Sequence, residues 1–120
     1  MITGAVTPKR EARIKITVDS PAGYEFMTEA IIDTGFNGFL TLRPEQISRL
    51  GLPRIGRGRA LLANGSQAVF HIYEVRVQWN EQFLTVEVDA ADSEPLVGMA
   101  LLEGNDLDIE VRDGGRVMIG

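Results

Sequence analysis

The sequence contains no cysteine, and this absence removes several kinds of chemistry at once. Disulfide bonds, thiolate nucleophiles and cysteine-ligated zinc or iron–sulfur centres are all excluded. The single histidine, His71, leaves no histidine-rich metal site and makes any imidazole-based triad depend on one residue. Carboxylates are the remaining candidates for catalysis, and we expect a site with no metal and no cofactor.

Basic residues and long apolar runs are also scarce. Twelve basic residues against 17 acidic ones give a formal net charge of -5 and a sequence pI near 4.8. This balance gives no general attraction to nucleic acids or acidic membranes. No run approaches the roughly 20 apolar residues of a membrane span, and residues 1–10 lack the apolar stretch of a signal peptide. We expect a soluble, cytoplasmic protein with neither a nucleic-acid nor a membrane partner.

The length and composition fit one folded domain. The chain has 120 residues, of which 44% are hydrophobic and 24% are charged. Such a composition supports a buried core, and single domains cluster at about 100 to 150 residues. We therefore predict a single domain that covers residues 1–120.

Short β-strand patterns dominate the chain. Alternating or continuous apolar residues predict strands over 13–18, 24–33, 39–42, 57–63, 66–79, 82–90, 107–111 and 116–119. Helix signals occur in two short segments only. One begins at Pro44 and is ended by Gly51, and the other covers Met99 to Glu103 before Gly104. The pattern predicts an all-β fold with one or two short helices.

The triplet Asp33-Thr34-Gly35 is the most informative motif in the chain. It follows the run Ala30-Ile31-Ile32, which is too continuous for a strand with one solvent face and is expected to be buried on both sides. A carboxylate therefore stands at the exit of a buried strand, beside a hydroxyl and a flexible glycine. An ordinary turn could have this composition, but the order of the elements that follow favours a catalytic loop.

Two features follow the triplet along the chain. Asn64-Gly65 is a strong two-residue hairpin signal between two β-rich arms. We predict a projecting hairpin there, with a tip formed by Ala63, Asn64, Gly65 and Ser66. Leu96, Val97 and Gly98 then form an apolar-apolar-glycine element immediately before the second short helix.

On these motifs the chain resembles the retropepsin-like aspartic proteases, the single-lobe relatives of pepsin found in retroviruses and, as small proteins, in bacteria. The resemblance covers most of the chain and implies a closed β barrel with one lobe per chain. It implies that Asp33 is the catalytic carboxylate, that Thr34 braces the catalytic loops across a dimer and that Gly35 lets substrate approach. It also implies that the hairpin from Arg57 to Tyr73 is a flap over the substrate.

The chain departs from the retroviral pattern in two places. Phe36-Asn37 follows the triplet where retroviral enzymes usually have small residues. The flap turn Asn64-Gly65-Ser66 is poorer in glycine than theirs. Both departures concern substrate access and specificity more than the fold.

The number of carboxylates predicts a homodimer independently of the resemblance. Metal-free hydrolysis needs two carboxyl groups, one ionised to take a proton from water and one protonated to polarise the carbonyl. One motif supplies one carboxylate. A two-fold homodimer would bring two copies of Asp33 together, where close like charges share a proton. We expect a homodimeric aspartic endopeptidase acting on peptides or proteins; the alternative is a non-catalytic dimeric β module that binds an extended peptide.

Three arginines cluster near the predicted flap. Arg54, Arg57 and Arg59 are interleaved with Gly56 and Gly58, in a pattern that is not a phosphate-binding loop. Their simplest interpretation is a solvated strand edge. The alternative is that they grip acidic side chains of a substrate.

Overall fold

The computed structural model describes residues 1–120 as ten strands and two short helices. Their order is β1 (Ile2–Val6), β2 (Ala12–Asp19), β3 (Glu25–Ile32), β4 (Leu40–Leu42), α1 (Pro44–Leu50), β5 (Arg54–Leu61), β6 (Gln67–Trp79), β7 (Gln82–Ala90), β8 (Leu96–Val97), α2 (Met99–Leu102), β9 (Leu107–Ile109) and β10 (Arg116–Ile119). The prediction of a mostly β chain with two short helices is confirmed. Neither helix has the length or the apolar character needed to span a membrane.

All ten strands belong to one hydrogen-bonded sheet. Its order is β5-β6-β7-β4-β8-β3-β2-β1-β10-β9, and β6 also pairs with β2. Because β6 bonds to both β7 and β2, the pairings β6-β7-β4-β8-β3-β2 return to β6 and form a ring. A ring of pairings does not by itself fix the curvature of a sheet, so the closed barrel stays a prediction.

The core lies between the strands of this ring and the two helices. Twenty-two buried apolar residues form one cluster, in which Val18, Leu40, Val77 and Val97 have no exposed surface. Fully burying a valine or leucine side chain stabilises a fold by about 1.5–3 kcal/mol. These side chains fix the strands that hold the loops described below.

Helix α1 begins and ends where the sequence signals place it. Pro44 occupies the first turn, and Gly51 caps the C-terminal end with a left-handed φ of 61°. Glycine adopts this conformation without the steric penalty of a side chain. This short helix therefore follows from local sequence alone.

Strand β1 has no counterpart among the predicted strands. Its alternation of Ile2, Gly4 and Val6 is broken by glycine, so the local pattern is weak. A Cβ on Gly4 would collide with the carbonyl oxygen of Arg13, which means that glycine is needed for β1 to approach β2. The strand forms because it pairs with β2 and β10, and these pairings leave no pattern in the local sequence.

Candidate active site

Asp33 lies directly after β3, in the loop that leads to β4. Strand β8 pairs in parallel with β3, through Ile32 and Val97, and antiparallel with β4, through Leu40 and Val97. The strand that enters the loop and the strand that leaves it therefore lie on either side of β8. Ile31 remains partly exposed, so the predicted burial of its run on both sides applies to Ala30 and Ile32 but not to every residue.

Backbone hydrogen bonds tie the Asp33 loop to the segment that follows β8. The donor and acceptor pairs are Asp33 N to Val97 O at 2.9 Å, Gly98 N to Phe39 O at 3.0 Å, Met99 N to Phe36 O at 2.8 Å and Ala100 N to Gly38 O at 3.1 Å. Residues 33–35 and residues 96–98, the two motifs singled out in the sequence, are thus brought together by main-chain contacts.

The Asp33 carboxylate is held by its own loop. Its Oδ1 atom accepts a hydrogen bond from the Gly35 N–H at 2.9 Å, which is the geometry of an Asx turn. A Cβ on Gly35 would lie 3.2 Å from that same oxygen, so the glycine keeps the carboxylate uncrowded. None of the ion pairs of the chain involves Asp33. Its negative charge is therefore not neutralised by a cation of the same chain.

Phe36, part of the first departure from the retroviral pattern, has a role in packing. Its ring lies against Gly38 and Gly98, where a Cβ on either glycine would collide with it. On Gly98 a Cβ would also meet the carbonyl oxygens of Gly38 and Phe36. Sequence reasoning found Gly98 but missed Phe36 and Gly38 as its partners. The only signal was the presence of glycines in both segments.

A buried hydroxyl also supports the site. Thr41 on β4 is 5% exposed, and its Oγ1 atom accepts a hydrogen bond from the Leu96 N–H at 2.9 Å. Because Leu96 begins β8, this bond fixes the start of the strand that organises the loop. The residue was not predicted, since threonine is common on strands for reasons unrelated to such contacts.

An arginine on β2 secures the chain just before β8. The Arg13 guanidinium pairs with the carboxylates of Glu11, Glu29 and Glu94. The hydrogen bonds that Arg13 donates to Glu11 and Glu94, together with the negative charges of these two carboxylates, raise the pKa of Arg13, so its charge persists at any ordinary pH. Glu94 stands two residues before Leu96, so its ion pair with Arg13 ties the segment before β8 to strand β2.

The predicted hairpin is formed by β5 and β6, but its turn differs from the prediction. The strands end at Leu61 and resume at Gln67, which leaves a loop longer than two residues. Within it the Gly65 N–H donates to the Leu62 carbonyl, and only Gly65 has a positive φ, of 84°. A two-residue type I′ turn needs positive φ at both central residues, so Asn64-Gly65 does not form one.

The tip of this hairpin is stabilised locally. The Asn64 Oδ1 atom accepts hydrogen bonds from the Ser66 N–H at 3.0 Å and from the Ser66 hydroxyl at 2.6 Å. Ala63, Asn64, Gly65 and Ser66 are all exposed. No hydrogen bond joins the tip to the Asp33 loop within the single chain.

The hairpin extends beyond the rest of the sheet. Strand β7 pairs with residues 72–79 of β6, whereas residues 67–71 pair with β5 alone. This outer part is a two-stranded ribbon, and its apolar side chains include Leu61, 75% exposed, and Val69, 56% exposed. We refer to residues 57–71 as the ribbon.

A shallow groove lies beside the Asp33 loop. It has a volume of about 570 Å³ and is lined by Thr34 and Asn37 on one side and by α2 and the start of β9 on the other. Met99 of α2 lines it and is 46% exposed. No cluster of three or more histidine, aspartate or glutamate side chains in the chain has a geometry that could hold a metal ion.

Comparisons with known proteins bear on the fold. No family model matches the sequence, and no curated protein matches it. Among solved structures, the chain is similar to a retropepsin-like aspartic protease from Rickettsia conorii, with a TM-score of 0.60 over 99% of this chain and 90% of that chain. This chain has a retropepsin-like fold.

The retropepsin-like fold is shared at 18% sequence identity. A likeness at this level concerns the path of the chain rather than individual side chains. The resemblance predicted from the motifs is thus confirmed for the fold, while the roles of Asp33, Thr34, Gly35 and the ribbon stay predictions. The protease activity is named for the protein of the solved structure, and for this chain it is a proposal.

Proposed function

We propose that the chain is a homodimeric aspartic endopeptidase in which two symmetry-related Asp33 carboxylates activate one water molecule. The observation that carries the proposal is the setting of Asp33 in a retropepsin-like fold. Its carboxylate follows β3, is oriented by the Gly35 N–H and has no cationic partner. Such a group can share a proton with its copy, as the reaction requires.

The proposed reaction uses the two carboxyl groups in different protonation states. The ionised one takes a proton from water as the water oxygen attacks the peptide carbonyl carbon, and the protonated one donates a hydrogen bond to the carbonyl oxygen. When the tetrahedral intermediate collapses, the carbon–nitrogen bond breaks and the leaving amine takes up a proton from the pair. The pair ends the cycle with one proton, as it began.

The surface beside the loop supports the dimer. Thr34 is exposed at the edge of the groove along α2, and Met99 leaves apolar surface open there. A second copy seated on this side would cover that surface and bring its own Asp33 loop next to the first. Thr34 would then brace the two loops, and the flap of each chain would cover an extended peptide.

The decisive variant is Asp33→Asn, which removes the general base with almost no change in shape. We expect kcat/KM on an unfolded protein substrate to fall by about 10²- to 10⁴-fold. Circular dichroism and sedimentation velocity should match the wild type. Asp113→Asn, a change of the same kind in an exposed turn, is the control and should retain full activity.

Two outcomes would contradict the proposal. Turnover by Asp33→Asn at the wild-type rate would remove Asp33 from the mechanism. A wild-type protein that binds extended peptides without cleaving them at any pH would instead favour the non-catalytic dimeric module.

A further inference from the structure

The stretch of residues 54–73 carries charge of one sign only. Residues 54–73 contain three of the 12 basic residues and none of the 17 acidic ones. A chain with a net charge of -5 therefore presents one region of uniformly positive charge.

Two of the arginines share one face of the ribbon. Arg57 pairs with His71 and Arg59 with Val69, and residues directly opposite in an antiparallel pair lie on the same face. Alternation along β6 places His71 and Val69 on the same side as Val75, which is buried in the core. The arginines thus lie on the core-facing side of the sheet, on the part of the ribbon that extends past β7, and both are exposed.

The opposite face of the ribbon has a different character. Gly58 pairs with Phe70, and a Cβ on Gly58 would collide with the Phe70 ring. Gly56 and Ala60 continue this face with small residues. Arg57 and Arg59 therefore lie on the core-facing side of the ribbon, while on the opposite side the Phe70 ring packs over Gly58.

These arginines have no partner within the chain. No ion pair and no side-chain hydrogen bond involves Arg54, Arg57 or Arg59, although six arginine–carboxylate ion pairs occur elsewhere, at Arg13, Arg76, Arg112 and Arg116. All three are exposed. Guanidinium groups bind carboxylates in a bidentate manner more readily than any other side chain.

We propose that the core-facing side of the ribbon selects extended peptides with acidic side chains, and that Arg57 and Arg59 determine this specificity. The proposal rests on the proposed peptidase function, in which the hairpin covers the substrate. Residues 57 and 59 stand two apart on one strand, a distance of about 6.5 to 7 Å, which is also the repeat of alternate side chains in an extended peptide. The preferred substrates thus carry two acidic residues separated by one residue.

A simpler explanation makes a different prediction. Charged side chains on an edge strand such as β5 hinder pairing between sheets of separate molecules. Either sign of charge serves that purpose equally well. Reversing the charge at Arg57 and Arg59 therefore keeps the protection of the edge but inverts any selection of substrates.

The test uses two fluorescent peptides that differ only in a Glu-x-Glu or a Gln-x-Gln segment. Their kcat/KM values are measured with the wild type, and their binding is measured by anisotropy with the inactive Asp33→Asn protein. We expect the acidic peptide to be favoured by about five- to tenfold in both assays. The preference should shrink as NaCl is raised from about 0.05 M to about 0.5 M, because salt screens exposed charges.

The double variant Arg57→Glu and Arg59→Glu should favour the Gln-x-Gln peptide instead. The matched control is Lys9→Glu with Arg10→Glu, which makes the same change of charge in an exposed turn between β1 and β2 and should leave the preference intact. If the charge-reversed protein does not fold, Arg57→Gln with Arg59→Gln should abolish the preference without inverting it.

The outcomes separate the two proposals. The proposed specificity of the ribbon is overturned if the folded Arg57 and Arg59 variants keep the preference for the acidic peptide. It is also overturned if the Lys9 and Arg10 control loses that preference to the same extent, and both conclusions hold even if both peptides are cleaved. If the wild type cleaves neither these peptides nor an unfolded protein at any pH, the peptidase proposal fails, and the anisotropy of the two peptides still decides whether the ribbon selects acidic segments.

Discussion

Two glycines beside the Asp33 loop face different obstacles. A Cβ on Gly38 would meet only the ring of Phe36, which a smaller side chain would relieve. A Cβ on Gly98 would meet the carbonyl oxygens of Gly38 and Phe36 as well, and these are fixed by the backbone hydrogen bonds of Met99 and Ala100. The constraint on Gly38 therefore comes from one side chain, whereas the constraint on Gly98 comes from the main chain as well.

This difference predicts the outcome of a double-mutant cycle. We expect Gly38→Ala and Gly98→Ala each to lower the free energy of unfolding by about 1–3 kcal/mol. In a Phe36→Leu background the cost of Gly38→Ala should fall by about 1 kcal/mol, whereas the cost of Gly98→Ala should stay. Urea denaturation measures both, and Gly56→Ala, where a Cβ meets nothing within 4 Å, is the control. If Gly38→Ala lowered the free energy of unfolding equally in both backgrounds, the Phe36 ring would not be the obstacle at Gly38.

An ion pair between a buried carboxylate and an exposed arginine stands at the point where β2 meets β6. Asp19, 5% exposed, accepts hydrogen bonds from Arg76, with Nε lying 2.9 Å from Oδ1. Arg76 also stacks on Phe83, with its guanidinium carbon 4.5 Å from the ring centroid. The Arg76 hydrogen bonds lower the pKa of Asp19 below its ordinary value, although burial opposes them.

A lowered folded-state pKa means that this carboxylate stabilises the fold above its unfolded pKa, and that the stabilisation is lost as the pH falls through the folded value. We expect Asp19→Asn to lower the free energy of unfolding by about 1–3 kcal/mol at pH 7. The difference from wild type should shrink below about pH 4. Urea denaturation at several pH values measures it, with the exposed Asp108→Asn as control. A gap that is independent of pH would exclude the ion pair as its source.

At this scale a local pattern singled out candidate residues but not the contacts of the site. Asp33, Thr34 and Gly35 form a contiguous motif, and their catalytic role stays a prediction. The pair of Asp19 and Arg76 is 57 residues apart in sequence, and no local pattern states which side chains meet across that distance. Thr41 was missed for the same reason.

Elements were predicted well where their signals are local. Strand β7 has the predicted bounds, and α1 is set by its proline and its glycine cap. The hairpin turn was wrong, because Asn64 binds Ser66 through its side chain and does not adopt a left-handed backbone. Strand β1 was missed, because its glycine is required by a neighbour that is distant in sequence.

The hairpin should be the least protected part of the sheet. Residues 67–71 of β6 pair with β5 alone, whereas residues 76–78 pair with both β7 and β2 and include the buried Val77. Hydrogen exchange should be at least about tenfold faster in the first segment, and a bound peptide should slow it. Equal protection of both segments without a peptide would contradict the assignment of a mobile flap.

For the whole molecule, the proposed dimer predicts a dependence on concentration. Each chain supplies one Asp33, so the active pair exists only in the dimer. Specific activity should fall on dilution below the dimer dissociation constant, in parallel with the appearance of monomer in sedimentation velocity. Constant specific activity from a protein that sediments as a monomer would rule out the shared pair.

The order of elements predicted the fold better than overall similarity could. A carboxylate after a buried strand, then a hairpin, then an apolar pair before a short helix specify the retropepsin-like path, even though identity to the solved structure is only 18%. The pairing of β2 with β6 was not predicted, since it joins segments about 60 residues apart through strands that look alike in sequence. Long-range register is set by the packed core and not by any one strand.

Strand β8 has only two residues, yet it provides the link between β3 and β4 in the sheet. It begins at Leu96, whereas β3 ends at Ile32 and β4 ends at Leu42, so a ribosome makes both of its neighbours long before it. Until residues 96–98 emerge, the Asp33 N–H has no Val97 carbonyl to bind and Phe36 has no Gly98 to pack against. A nascent chain that has not yet reached residue 98 therefore carries the aspartate without these two contacts, and gains them only after the segment around β8 has been made.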